Sequence, residues 1–86
     1  MKIKDSFILR NVADVWVVAA LGEAAVDFSG MLKLNETGAL LWKTLENGAE
    51  TEDLVDALCA EYVVDREQAR ADVEEFLNVL RGAGCI

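Results

Sequence analysis

Histidine and proline are absent from this 86-residue chain, cysteine occurs twice, and basic residues number only eight. Without histidine the chain lacks the side chain most often used as a general base or metal ligand near neutral pH. A metal site would have to be built from two distant thiols and carboxylates, and Cys59, between Val55 and Tyr62, reads instead as a small hydrophobe on a helix. No metal or cofactor is expected. The acidic side chains number 16, leaving a net charge of −8 that repels nucleic-acid phosphates and anionic membrane surfaces. Long apolar runs are missing as well: Val15 to Leu21 is seven residues, where a bilayer crossing needs about 20. The segment Met1-Lys2-Ile3-Lys4-Asp5 leads into no signal-peptide core, so the chain reads as cytoplasmic. There is no glycine-rich phosphate loop and no nucleophile with a recognisable base, so an enzyme is not expected. The acidic pairs Glu52-Asp53 and Glu74-Glu75 read as solvated faces. Hydrophobic residues make up 53% of the chain, which argues against disorder and for one folded domain spanning residues 1–86.

The pattern within that domain changes at Leu34-Asn35. Before it, Val26, Phe28, Leu32 and Leu34 alternate with Asp27, Ser29 and Lys33, as a strand with one buried face requires; after it, Ala39, Leu41, Trp42 and Leu45 follow helical spacing. Two earlier runs, Phe7 to Val12 and Val15 to Ala20, form a hairpin around Asn11 and Asp14. Val26 to Leu34 is the third strand of a meander, with a bend or bulge at Ser29-Gly30, where Met31 breaks the alternation. Asn35 caps a first helix ending near Asn47-Gly48. Thr51 caps a second, with Leu54, Val55, Leu58 and Tyr62 as its buried stripe, ending near Val63. Asp65 and Gln68 form a capping box for a third, carried by Ala69, Val73, Phe76, Leu77 and Leu80 to about Arg81. Gly82 and Gly84 punctuate its end and leave Cys85-Ile86 as a tail that can dock. The expected class is α+β, a winged-helix-like arrangement of a three-stranded antiparallel sheet followed by three α-helices.

This order resembles the PqqD-like family, also called RiPP recognition elements. The resemblance is carried by Gly30-Met31-Leu32-Lys33-Leu34-Asn35-Glu36-Thr37-Gly38-Ala39 with Trp42, by Thr51-Glu52-Asp53-Leu54 with Leu58, and by Tyr62-Val63-Val64-Asp65 with Phe76-Leu77 and Leu80. It implies a domain without catalysis of its own; with nothing after the third helix to be an enzyme, a stand-alone module is expected. Such a domain binds the leader of a ribosomally made precursor peptide as an added strand along the third strand and against the third helix. It then presents that leader to a modifying enzyme, often a radical SAM enzyme.

Strand addition is nearly blind to sequence, so selectivity has to come from side chains beside the edge. On the third helix, Arg66, Arg70 and Arg81 fall on one flank of the apolar stripe, adjoining Val73 and Leu77, while Phe76, Ala69 and Leu80 lie toward the other. With Met31, Leu32 and Lys33 on the third strand, these arginines, Val73 and Leu77 are the candidate peptide contacts. They compose an apolar floor with a basic rim that would steer an acidic leader. The blander reading makes the arginines solvated rim residues paired with neighbouring carboxylates, and Val73 and Leu77 plain core. Asn35, Thr37, Gly38 and Trp42 read as cap, first turn, close packing and core. Trp16 has apolar neighbours on both faces, which leaves its direction open.

Two rival functions share this pattern. The second and third helices could form a helix-turn-helix that reads DNA, but the outer face of the third helix carries Glu67, Ala71, Glu74, Glu75 and Asn78, and its charge argues against nucleic acid as a partner. A free strand edge could also pair two copies into a homodimer.

Overall fold

The computed structural model describes residues 1–22 and 32–86. Among them, β1 (Phe7–Val12), β2 (Val15–Ala20) and β3 (Leu32–Leu34) form one antiparallel sheet in the order β1-β2-β3. Three helices follow: α1 (Glu36–Glu46), α2 (Thr51–Glu61) and α3 (Arg66–Ala83). The expected α+β meander-then-helices order is present. The third strand is described only at Leu32–Leu34, so the expected start at Val26, the bend at Ser29-Gly30 and the place of Met31 lie outside the described residues.

The β1–β2 connection is a two-residue loop in which Ala13 and Asp14 both have positive φ, 52° and 66°. This is the primed turn whose twist matches that of the flanking strands, and it closes on a hydrogen-bonded pair, here Val12 opposite Val15. Register then follows by alternation. Val15, Val17 and Ala19 turn their main-chain groups toward β1, and Trp16 and Val18 turn theirs toward Leu34 and Leu32 of β3. Trp16 shares the face of wholly buried Val18, and the Lys43 ammonium of α1 lies 4.2 Å from its ring centroid. Its direction is therefore inward, with a cation over the ring.

Each helix begins where a side-chain acceptor meets its free N–H groups. The Asn35 carboxamide accepts from the Gly38 N–H at 2.8 Å. For α2 the cap is Glu50 rather than Thr51, which becomes the first helical residue; the Glu50 N–H donates to Asp53 Oδ2 at 2.8 Å in a reciprocal capping box. That helix stops at Glu61, and Tyr62 is already extended. At α3, Asp65 accepts from the Gln68 N–H at 2.9 Å, but the Gln68 amide donates onward to Asp72 at 2.9 Å, so only half of the expected box forms. The helix runs to Ala83, two residues past the expected end, and closes on Gly84 at φ 77°, a left-handed conformation that glycine adopts without penalty.

The core lies between the inner sheet face and the three helices. Val18, Trp42, Leu45, Leu54, Val55, Ala69, Val73 and Leu80 are wholly buried, and Leu41, Leu58 and Leu77 nearly so. The terminal segments close it. Ile3 is buried, the Ala49 N–H donates to the Met1 carbonyl at 2.8 Å, and the Lys4 N–H donates to the carbonyl of buried Cys85, also at 2.8 Å. The C-terminal tail docks as expected; the core role of Ile3 was not foreseen, because a lone apolar residue between two lysines carries no periodic signal. No described helix is long and apolar enough to cross a membrane.

Candidate functional site

Among the described residues the sheet ends in an edge at β3. Since Leu32 and Leu34 pair with β2, the N–H and carbonyl of Lys33 between them point away from it. Beyond that edge lies an open groove of about 420 Å³ between β3, the start of α1, and α3. One wall is Leu32, Lys33 and Leu34 continuing into Asn35, Thr37 and Gly38; the other is Asp72, Glu75, Phe76 and Val79, spaced i, i+3, i+4, i+7 along one face of α3. Phe76 is partly buried, and a Cβ built on Gly38 would lie 3.4 Å from its ring and 3.2 Å from Leu34 Cβ. Glycine at 38 thus lets the start of α1 come close to the strand and gives the ring its seat.

The sequence candidates divide among three places. Leu32 and Lys33 line the groove. Val73 and Leu77 do not: they are 0% and 2% exposed, and they hold α3 against the core. The arginines expected at a basic rim lie elsewhere. Arg66 donates to Asp56 at 2.8 Å and to Glu52 at 2.9 Å, and Arg70 pairs with Glu52 as well, so both lash α3 to α2. The two arginines hold the Glu52 carboxyl below its ordinary pKa, Arg70 contributing most. Asp56 and Glu52 in turn raise the Arg66 guanidinium, and Glu52 raises that of Arg70. Arg81, in the last turn, reaches Asn78 at 3.4 Å and the Met1 sulfur at 3.7 Å. Met31 lies outside the described residues.

The physical reason is angular. At 100° per residue, Arg70 and Arg81 occupy the flank of α3 past Leu77, with Arg66 at the helix start between Val73 and Leu77, while Asp72, Phe76 and Val79 occupy the flank past Ala69. It is the second flank that faces β3. Asp72, Glu75 and Val79 were missed as groove residues. A carboxylate on a helix ordinarily reads as a solvated face, and only Phe76, apolar but off the centre of the buried stripe, signalled that this flank meets something.

No His, Cys, Asp and Glu among the described residues cluster in threes so as to hold a metal ion. Both cysteines are free thiols, and burial pushes that of Cys85 above its ordinary pKa.

A three-stranded meander whose last strand turns an edge, unpaired among the described residues, into a helix-walled groove defines a winged-helix-like domain with a surface for an extended ligand. The chain belongs to the PqqD family: the family model described as coenzyme PQQ synthesis protein D matches residues 16–86. Among solved structures it is similar to one described as TbiB1 in complex with the TbiA(beta) leader peptide, at 33% identity and a TM-score of 0.79, covering 99% of this chain and 93% of that one. A lasso peptide synthetase B1 complexed with its leader peptide shares the fold at 23% identity and a TM-score of 0.77, covering 98% and 93%. No curated protein matches the chain.

Proposed function

We propose that this domain captures the leader segment of a ribosomally made precursor peptide by strand addition to β3 and holds it for a separate modifying enzyme, of the radical SAM or another class. The observation that carries this reading is the Lys33 main chain, whose N–H and carbonyl face the groove rather than β2. An extended peptide there gains main-chain hydrogen bonds, and its alternate side chains reach Phe76 and Val79 on α3. The similar TbiB1 structure, which holds a leader peptide, supports the same occupant here.

In this reading Leu32 and the Lys33 main chain form the docking edge, and Met31, which precedes Leu32 in sequence, is a further candidate contact. Val73 and Leu77 support the helix wall from beneath, Arg66 and Arg70 fix the angle between α2 and α3, and Arg81 reaches Asn78 and Met1 on the flank away from the groove. The domain performs no chemistry on the peptide and works in the cytoplasm beside its enzyme. A dissociation constant between micromolar and nanomolar corresponds to roughly −8 to −12 kcal/mol, net of the cost of ordering the leader.

The test is an amide NMR titration of labelled protein with leader peptides encoded near its gene, with duplex DNA as control. Shifts concentrated at Leu32–Leu34 and at residues 72, 75, 76 and 79 are expected. Silence with every leader, together with DNA-induced shifts on α2 and α3, would overturn the reading in favour of a DNA-binding domain. Loss of a dimer on adding leader would show that a second copy competes for the edge.

A further inference from the structure

The helix wall of the groove is negatively charged, and its charges are unmatched. Asp72 is partly buried and accepts from the Gln68 amide; Glu75 is exposed. All eight basic side chains belong to described residues, because segment 23–31 contains no Lys or Arg, and none of them forms an ion pair with Asp72 or Glu75. Lys33 does not compensate from the strand wall. It stands opposite Val17, on the sheet face away from Val18 and the main core cluster, so its main chain borders the groove while its side chain leaves on the other side.

Resting on the leader-binding reading above, we propose that the groove selects leader segments carrying a lysine or arginine against Asp72 and Glu75 and an apolar residue two positions away against Phe76 and Val79. The spacing follows from the two repeats that would lie side by side. The pair 72/75 and the pair 76/79 are offset by four residues of α3, about 6 Å of helix rise. In a strand lying along the helix, side chains on one face recur about every 6.6 Å. A basic residue and an apolar residue at i and i+2 therefore fall opposite their partners together, and a leader with acidic residues on this face is repelled. The apolar contact supplies affinity and the charge pair supplies selectivity.

The probe is a phage-displayed library of random linear 12-residue peptides, selected in parallel on the wild-type domain, D72N/E75Q, E46Q/E61Q and Lys33→Pro. D72N/E75Q keeps the shapes and the acceptor for Gln68 while removing both groove charges. E46Q/E61Q removes the same net charge from exposed residues at the ends of α1 and α2, and so controls for general attraction of basic peptides. The wild type and E46Q/E61Q are expected to enrich a basic residue two positions from an apolar one. D72N/E75Q is expected to keep the apolar preference, lose the basic one, and bind wild-type-selected peptides about fivefold more weakly, as suits partly exposed charge pairs. If wild-type peptides show no basic preference, or bind D72N/E75Q equally well, while Lys33→Pro still abolishes capture, the charge selection is wrong and strand docking stands. If Lys33→Pro leaves capture intact, the peptides do not use the β3 edge, and the docking reading falls with the inference built on it.

Discussion

The two flanks of α3 carry charge in opposite conditions. On the flank toward α2, Arg66 and Arg70 are joined to Glu52 and Asp56, and each charge has its counterpart inside the domain. On the flank toward β3, Asp72 and Glu75 stand beside Phe76 and Val79 without a cation, across from a strand edge whose Lys33 N–H has no partner among the described strands. Satisfied groups make structure, whereas unmatched charge and an open main chain, side by side in a groove, are what a ligand completes. The contrast separates the polar residues that hold α3 to α2 from the polar residues that face the groove.

The severest way to break this contrast is to remove what both flanks share. Leu77→Ala empties a nearly fully buried site and is expected to cost about 3 kcal/mol, lowering Tm by roughly 15 °C in thermal denaturation followed by circular dichroism. A loss below about 1 kcal/mol would mean that Leu77 is not core and is free to meet a ligand. Phe76→Ala acts on the groove flank alone: leader binding measured calorimetrically should weaken about ten- to a hundredfold, from lost apolar contact, with a smaller loss of stability than at Leu77. Lys33→Pro should weaken binding about tenfold more than Lys33→Ala, since proline removes an edge donor worth one hydrogen bond; equal effects would argue against strand addition.

Smaller effects sharpen the other flank. Glu52→Gln removes the carboxylate shared by Arg66 and Arg70, and should lower Tm slightly while leaving leader affinity unchanged. Because the folded pKa of Glu52 is depressed, its stabilisation is present above the ordinary carboxylate range and is lost as pH falls below that range through the depressed folded pKa, a slope that Glu52→Gln should reduce. Cys85 gives the opposite sign. Burial raises its folded pKa, so above about pH 8.5 the unfolded thiol ionises while the folded one stays protonated, and stability falls as pH rises. Urea midpoints between pH 8 and 10 should show that fall, diminished in Cys85→Ala.

Most of the fold was legible because its signals are local. Asn35, Asp65 and Gly84 act within one helical turn, the two positive-φ residues Ala13 and Asp14 set the hairpin register, and the apolar stripe of α3 follows helical period. Even the misjudged cap is off by one residue, at Glu50 rather than Thr51, where Asp53 accepts from the Glu50 N–H. The groove was legible only in part. Leu32 and Lys33 could be named from the strand that precedes the first helix, but Asp72, Glu75 and Val79 look like any solvated helix face until a neighbour is set against them.

The amino-acid sequence by itself determined the order of elements, the caps, the buried stripe and the fact that arginines and Phe76 lie on opposite sides of that stripe, because all of these depend on neighbours a few residues apart. Tertiary structure alone decided which side meets the free edge of β3. An apolar stripe orients a helix toward the core, but what stands on either side of it depends on how the sheet and the other two helices are placed around that core. Here α2 stands on the arginine side and β3 on the side of Phe76, Asp72 and Glu75. That placement makes the arginines structural and leaves the carboxylates to face the groove.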